Sequence, residues 1–503
     1  MKIGIITSRT AKPIVEDVVK DMPEVVVVEL PVPVISILST KIIAKIIAGR
    51  RDLLSKLKDL DYILVPGMVR GHTGDIEDIV GRPVYKATRD IGGLPFVIKN
   101  IRNGILPDKS KPAEEILGKL EPSMEFEEAF TIGDLRVPLR GPPVLVVSEV
   151  HPFISNMVFK EEASRIIRDK PDILLIGAHH DMPIEELSRR ITLSYKLEAS
   201  RVISEAPTRS HAKAALNAGA MGLSISAYQV DEIADMLGRD HVVIVGERSI
   251  ERLESSIRKL REIGVYKVIA DPVLGLPLID MADSIKRYYN ASSLGVPLLF
   301  SAANVTEEIE ADTHGVHGVL AALAVELRAS LYLVVEETYK SRRGTVEARE
   351  AIRIATLAWS RKTTERGFYS GLLVLKQSIP PINRKPSVLS QRVGYVEPVI
   401  DKRGYIEVYV DHSRGVIGAV YREYRNNRVV AAFEGSHPTS VARALIRAVN
   451  LDPEHSAYLG YELAKAEIAL RLGRTYTQDE PVIIPIWERG CGIGEECDSE
   501  RSC

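Results

Sequence analysis

The chain has 503 residues, 45% hydrophobic and 27% charged, the balance of a folded globular protein with room for roughly two to four domains. Its 66 Lys+Arg nearly cancel 68 Asp+Glu, leaving a formal net charge of −2, so there is no chain-wide field to hold nucleic acid or an anionic membrane. All three cysteines lie at Cys491 or beyond, which excludes a disulfide framework for the body of the chain.

From Met1 to about residue 140, apolar runs alternate with helical patterns: Lys2–Thr7, Val15–Val19, Glu24–Leu30, Ile42–Leu57 and Tyr62–Pro66. This predicts a small N-terminal α/β domain, residues 1–140. Met1-Lys2-Ile3-Gly4-Ile5-Ile6-Thr7 reads as its first strand and not as a secretion signal, and stretches such as Val316–Val325 fall short of the roughly 18–20 residues that span a bilayer. A cytoplasmic location without membrane contact is expected. Abundant Ile, Val, Arg and Glu with little Gln lean towards a thermophile. A hydrophilic segment at Asp108–Gly118 and the Pro-rich stretch Pro138–Pro143 place a boundary near residue 141.

Eight short apolar segments follow at even spacing: Val144–Val150, Ile173–Ile176, Arg201–Ser204, Gly222–Ile225, Val242–Val245, Val268–Ala270, Leu298–Phe300 and Leu331–Val335. Amphipathic stretches such as Glu161–Asp169, Ser249–Gly264 and Asp280–Tyr289 lie between them. Strands apolar throughout, each followed by a helix, require a parallel sheet covered on its outer face, and eight such units make a TIM (β/α)8 barrel over 141–367. An open doubly wound sheet also alternates but rarely supplies eight regular units. After Gly367, Leu372–Lys376, Tyr395–Ile400, Tyr405–Val410 and Gly415–Tyr421 read as strands and His455–Leu472 as a helix, predicting a C-terminal α+β domain over 368–503.

In a TIM barrel the chemistry gathers where strands end, so polar residues after each run are the candidates. These include Glu149 and His151, His179 to Asp181, Glu205, Ser226, Glu247, Asp271, Ser301 with Asn304, and Glu336 to Lys340. Asp271-Pro272 fixes a carboxylate at a strand end, where it can accept two N–H bonds from a guanidine-like ring edge, or else serve as a loop cap. Asn304 offers a donor and an acceptor among small residues, or caps the next helix. His151 with His179, His180 and Asp181, and His314 with His317, have metal-ligand types without a metal-site spacing. The tail Cys491, Cys497 and Cys503 spaces three thiols evenly, suiting an iron–sulfur cluster with one outside ligand, a redox pair, or a frayed end. Gly71-His72-Thr73-Gly74-Asp75 lacks the ending of a phosphate loop and reads as a tight turn.

Asp271-Pro272, Ser301–Glu307, Asp312-Thr313-His314-Gly315-Val316 and Glu336–Val346 together resemble the archaeal dihydropteroate-synthase-related proteins. The resemblance extends to Val65–Gly71, to Tyr458–Glu467 and to Tyr476–Pro481, covering essentially the whole chain. It implies a barrel that binds a reduced pterin, with Asp271, Asn304 and Glu205 holding the ring and Ser226 and His151 in supporting positions. In a synthase, an arylamine displaces diphosphate from a hydroxymethylpterin in building a folate or tetrahydromethanopterin-type coenzyme. Here Lys340, Arg342 and Arg343 would hold the phosphates, with Asn304 and Lys340 at the reacting centre and Mg2+ beside the diphosphate. Ser301-Ala302-Ala303-Asn304 lacks the expected lysine, the Arg-x-His pair after the eighth strand is missing, and Glu205 stands where an Asp is expected. Asn304 also resembles the Asn of pterin-dependent methyltransferases, which pass an N5-methyl group to a corrinoid protein partner; a non-catalytic pterin-binding scaffold is the third reading. A homodimer is implied by the same family resemblance.

Overall fold

The computed structural model describes residues 1–89, 91–117, 122, 124–360, 362, 364–365, 371–376, 391–397 and 399–483. It divides into two compact units, Met1–Asn383 and Arg384–Cys503.

The first unit begins with β1 (Ile3–Ser8), β2 (Val25–Leu30), β3 (Tyr62–Val65) and β4 (Val84–Lys86), all parallel in the order β2-β1-β3-β4. Every residue of β1 is buried, because helices cover both faces of the sheet. The long helical pattern expected over 42–57 is two helices, Thr40–Ala48 and Arg51–Lys58. Gly49 ends the first, and Arg50 turns into an extended conformation.

A hairpin that the sequence reading passed over comes next, β5 (Glu128–Ile132) and β6 (Leu135–Pro138), with Gly133 at φ +59° in its turn. The eight barrel strands follow: β7 (Leu145–Val150), β8 (Ile173–Ile176), β9 (Val202–Glu205), β10 (Gly222–Ser226), β11 (Val242–Gly246), β12 (Val268–Asp271), β13 (Leu299–Phe300) and β14 (Leu331–Val335). They pair in parallel in the order β12-β11-β10-β9-β8-β7-β14-β13, and an Ala270–Leu298 bridge closes the ring. This is the expected TIM barrel, flanked by the α/β sheet before it and an α+β region after it. Its interior is packed by Val147, Ile173, Leu175, Ile203, Val242, Ile244, Ile269, Leu299 and Leu331. Ile132 and Val137 of the hairpin join that cluster, together with Leu145 and Met221 near strand starts. The hairpin therefore seals the N-terminal end of the barrel with apolar side chains and leaves the C-terminal end open.

Helices between the strands are fixed by local chemistry. Ser155, Thr208 and Ser249 each accept a backbone N–H at the start of a helix. Helix Thr313–Glu326 opens where the Asp312–Val316 motif places it. On it, His317 is buried against the Tyr332 hydroxyl, 3.0 Å away, and burial depresses its pKa to about 4. His314 faces Glu347 at 3.6 Å. His317 thus packs the helix against the barrel while His314 faces the helix Gly344–Ser360, and the two do not converge as ligands.

The second unit has β15 (Gly404–Asp411), β16 (Val416–Glu423) and β17 (Val429–Gly435), antiparallel in that order, with helices Pro438–Val449 and Pro453–Leu472. Three expectations change here. Leu372–Lys376 forms turns and bends, the described residues of Tyr395–Ile400 carry no strand and are exposed, and β17 was not anticipated. The Tyr458–Glu467 and Tyr476–Pro481 motifs are one lock. Glu462, buried to 1% exposure, pairs with Lys465 and accepts from the Tyr476 hydroxyl at 2.6 Å. Gln478 then bonds Val408 N, Ile406 O and the Tyr458 hydroxyl, fastening the strap against the edge of β15. Cys491, Cys497 and Cys503, with the iron–sulfur reading, lie outside the described residues. Among the described residues no helix is long and apolar enough to cross a membrane.

Candidate functional site

The open end of the barrel is shaped by what the strand ends expose. At β12, Asp271 accepts from Val273 N at 2.8 Å and from the Ser301 hydroxyl at 2.7 Å, with the Tyr288 hydroxyl 3.2 Å from its Oδ1. Burial raises its pKa, and the Ser301, Val273 and Tyr288 contacts pull the other way. A carboxylate has about four acceptor positions, so roughly one remains for a ligand, beside the lone pairs of Ser301 Oγ. Of the two roles expected for Asp271, the bond from Val273 N shows the loop cap, and the bond from Ser301 joins the carboxylate to the next strand end.

Tyr288 went unnoticed in the sequence because it sits at an ordinary core position of helix Met281–Ala291. It is fully buried, 2.9 Å from Leu299 O, and accepts from Ser301 N at 3.2 Å. Burial raises its pKa well above the usual phenol value, with Asp271 adding to the effect, so it stays a neutral positioning group. Asn304 lies inside the short helix Ala303–Thr306 and caps nothing. Its Nδ2 donates to Leu274 O at 2.7 Å, leaving Oδ1 without a hydrogen bond among the described residues. That bond ties the loop after β12 to the loop after β13, and it places Asn304 beside the Asp271–Ser301 pair.

On the other side of the mouth stand Glu149 at the end of β7 and Glu205 at the end of β9. Both press against the end of β8, because Ala178 N donates to Glu205 at 3.0 Å and a Cβ on Gly177 would lie 2.6 Å from Glu149 Oε1. Only glycine at 177 leaves Glu149 that space. The Glu149 carboxyl makes no hydrogen bond among the described residues, and burial pushes its pKa well above the carboxylate range, with Glu205 and Glu337 adding to the rise. Burial also raises Glu205, against the pull of the Ala178 N–H. His151 Nε2 is 3.1 Å from Glu337, and burial lowers the imidazole pKa in spite of Glu337 and Glu307. Phe153, exposed at 70%, stacks on His179 with ring centroids 4.5 Å apart. The barrel histidines do not gather as metal ligands. Among the described residues, the one group of His and carboxylates close enough is Asp401, Asp452 and His455 in the second unit, where Arg403, Tyr421 and a helix N-terminus already use them.

The remaining expected residues divide. Ser226 accepts and donates within the cap of the turn Ala227–Gln229. Lys340 pairs with Glu310 at 3.0 Å, and Arg343 reaches away to Asp169 at 3.3 Å. Glu336 lines a cleft with His151 and Glu337, but its carboxylate is engaged: burial would raise it, while Arg165 and the N–H groups of Thr345 and Arg343 hold it below the usual carboxylate range. Arg342 is exposed, has no ion pair among the described residues, and lines a cleft of about 200 Å³ with Glu149, His151, Glu337 and Tyr339. The cations expected to act together are therefore dispersed by local carboxylates, with Arg342 left facing the rim.

Against known proteins, residues 400–479 match the PterinBD-DUF4346 family model. The family resemblance read from the sequence holds, and the matched segment is the α+β unit and not the barrel. Along 95% of its length the chain is 27% identical to an uncharacterised protein of Methanocaldococcus jannaschii, covering 98% of that protein. In backbone it is similar to the dihydropteroate synthase of Xanthomonas albilineans (17% identity, TM-score 0.37, 47% of this chain and 98% of that one). It is also similar to the Thermus thermophilus enzyme in complex with 6HMPPP (20% identity, TM-score 0.37, 45% and 98%). The Yersinia pestis enzyme gives 16% identity, TM-score 0.38 and coverage of 46% and 99%.

Proposed function

We propose that the barrel binds a reduced pterin at its C-terminal end, the ring edge held by Asp271 with Ser301 and by Asn304 Oδ1. The observation that carries this reading is the pair of unfilled acceptors at adjacent strand ends: Asp271 and Ser301 joined at 2.7 Å, and Asn304 fixed through its Nδ2 with Oδ1 left open. A flat heterocycle with an N–H-rich edge is the ligand such acceptors suit. The match of residues 400–479 to the PterinBD-DUF4346 family model supports the ligand class.

The chemistry we assign is condensation of a hydroxymethylpterin diphosphate with an arylamine, in folate or tetrahydromethanopterin-type coenzyme synthesis. In this reading Arg342 meets the diphosphate, and Glu337 in the same cleft offers an oxygen donor of the kind Mg2+ prefers. Lys340 and Arg343 would have to leave Glu310 and Asp169 to contribute. A second reading, methyl transfer from an N5-methyl pterin to a corrinoid protein, is favoured by the dispersal of the cations a diphosphate needs, Lys340 being held by Glu310 and Arg343 by Asp169. Calorimetric titration with 6-hydroxymethyl-dihydropterin diphosphate, with and without Mg2+, and separately with a methylated tetrahydropterin, decides between them. Mg2+-dependent diphosphate binding that weakens in Arg342→Ala supports condensation. Preference for the methylated ligand supports methyl transfer, and binding of neither overturns the pterin reading.

A further inference from the structure

The mouth of the barrel takes its inner layer from the packing below it. Val147, Ile203, Ile244 and Leu299, one from each of the alternate strands β7, β9, β11 and β13, belong to the packed interior. Side chains two residues apart on a strand share a face, so the next inward positions are Glu149, Glu205, Gly246 and Ser301. In a TIM barrel the inward residues of alternate strands stack as layers of four. This last layer therefore holds two carboxyls, a hydroxyl and a gap, and the gap at Gly246 lies across the axis from Glu149. A Cβ on Gly246 would meet nothing nearer than Ile225 O at 3.8 Å, so no neighbour fills the opening.

The hydrogen-bonding groups around that gap are one-sided. Asp271 with Ser301, and Asn304 through Oδ1, offer acceptors. A pterin also carries acceptors, a ring carbonyl and ring nitrogens, and these need donors once the ring leaves water. Lys340 and Arg343 are held by Glu310 and Asp169, and Arg342 stands exposed at the rim. The Glu149 carboxyl has no hydrogen bond among the described residues, and its neighbours Glu205 and Glu337 are acidic. Of the pair Glu149 and Glu205, only Glu205 receives an N–H, from Ala178 at 3.0 Å, so the charge settles there and the proton on Glu149. A neutral carboxyl has an O–H to give. We propose, resting on the pterin reading above, that Glu149 in its protonated form donates a hydrogen bond to a ring acceptor of the pterin and positions the ring against Asp271 and Ser301. The charged groups facing Glu149 are Glu205 from β9, Glu337 and Arg342 after β14, and His151 from its own strand, while β8 presents only Gly177 and Ala178. Glu162, Arg165 and Glu336, on the same cleft, are paired with one another.

The test is calorimetric titration with 6-hydroxymethyl-dihydropterin, which carries no diphosphate, between about pH 6 and pH 9. Glu149→Gln keeps a donor and cannot ionise. The ratio of the wild-type to the Glu149→Gln dissociation constant therefore separates this carboxyl from titration of the ligand, His151 and Glu205. An ionised Glu149 no longer donates, so the ratio should lie within about threefold of one at the acid end and rise to roughly tenfold at the alkaline end. Glu149→Ala, with circular dichroism as the folding control, should bind about tenfold more weakly than wild type at the acid end. A ratio that stays flat across the range overturns the proposal, and so does wild-type affinity in Glu149→Ala. Asp271→Asn is the control for the pterin reading. If it loses affinity while both Glu149 variants bind as wild type does, that reading stands and the role of Glu149 falls. A wild type that does not bind the pterin overturns both. If Glu149→Ala does not fold, the Glu149→Gln ratio decides by itself.

Discussion

The two ends of the barrel are built from the same eight strands and meet opposite demands. At the N-terminal end, Ile132 and Val137 of the hairpin extend the apolar interior and exclude water. At the C-terminal end the interior stops and carboxylates take over: Glu149, Glu205 and Asp271, each pushed above its usual pKa chiefly by burial. One end contributes stability, while the other holds groups in protonation states that cost stability, which is the pattern of a functional site.

The largest effect is expected at the sealed end. Ile132→Ala opens a cavity under a side chain only 1% exposed and should cost about 2–5 kcal/mol in denaturant unfolding, with pterin affinity unchanged. If affinity falls as steeply as stability, the two ends are not separable. Asp271→Asn reverses the pattern. It keeps volume and most of the contacts to Val273, Tyr288 and Ser301, so the melting temperature should hold while pterin affinity drops about ten- to a hundredfold.

Gly177→Ala sits between these cases. Its Cβ would meet Glu149 Oε1 at 2.6 Å and Val150 O at 2.9 Å, so a loss of about 1–3 kcal/mol is expected, together with a displaced Glu149. The smallest change, and the sharpest for the comparison, is Glu149→Gln. A carboxyl whose pKa is raised on folding holds its proton more tightly in the native state, so stability falls as pH rises above the ordinary carboxylate value. Glu149→Gln removes that loss: its melting temperature should exceed wild type by roughly 1–2 °C at pH 8, and the gap should close as pH falls towards 4.5. A gap independent of pH would mean that Glu149 is ionised at little cost.

Much of this was legible in the chain. β8 and β14 begin and end where their apolar runs do, β9 is shifted by one residue at both ends, and the other barrel strands differ by a residue at one end, because a strand buried on both faces is written as an unbroken apolar run. The hairpin had a signal too, Gly133-Asp134 between Phe130, Ile132 and Leu135, Val137, but the short alternation was lost beside the stronger barrel period. β17 was missed because its residues are exposed on both faces, so no alternation marks it, and Leu372–Lys376 misled because a short apolar run by itself does not distinguish a strand from the turns and bends found there.

The sequence by itself determined the barrel, its flanking layers, and which strand ends carry Asp271, Glu205 and Asn304, since burial periodicity is a local property of the chain. Only the tertiary structure decided that Tyr288 and Ser301 share Asp271, that Gly177 makes room for Glu149, and that Lys340 and Arg343 are held by Glu310 and Asp169 while Arg342 faces the rim. Those pairings join residues on different elements, and their partners are chosen by distance and burial after the strands have closed, which no spacing along the chain records.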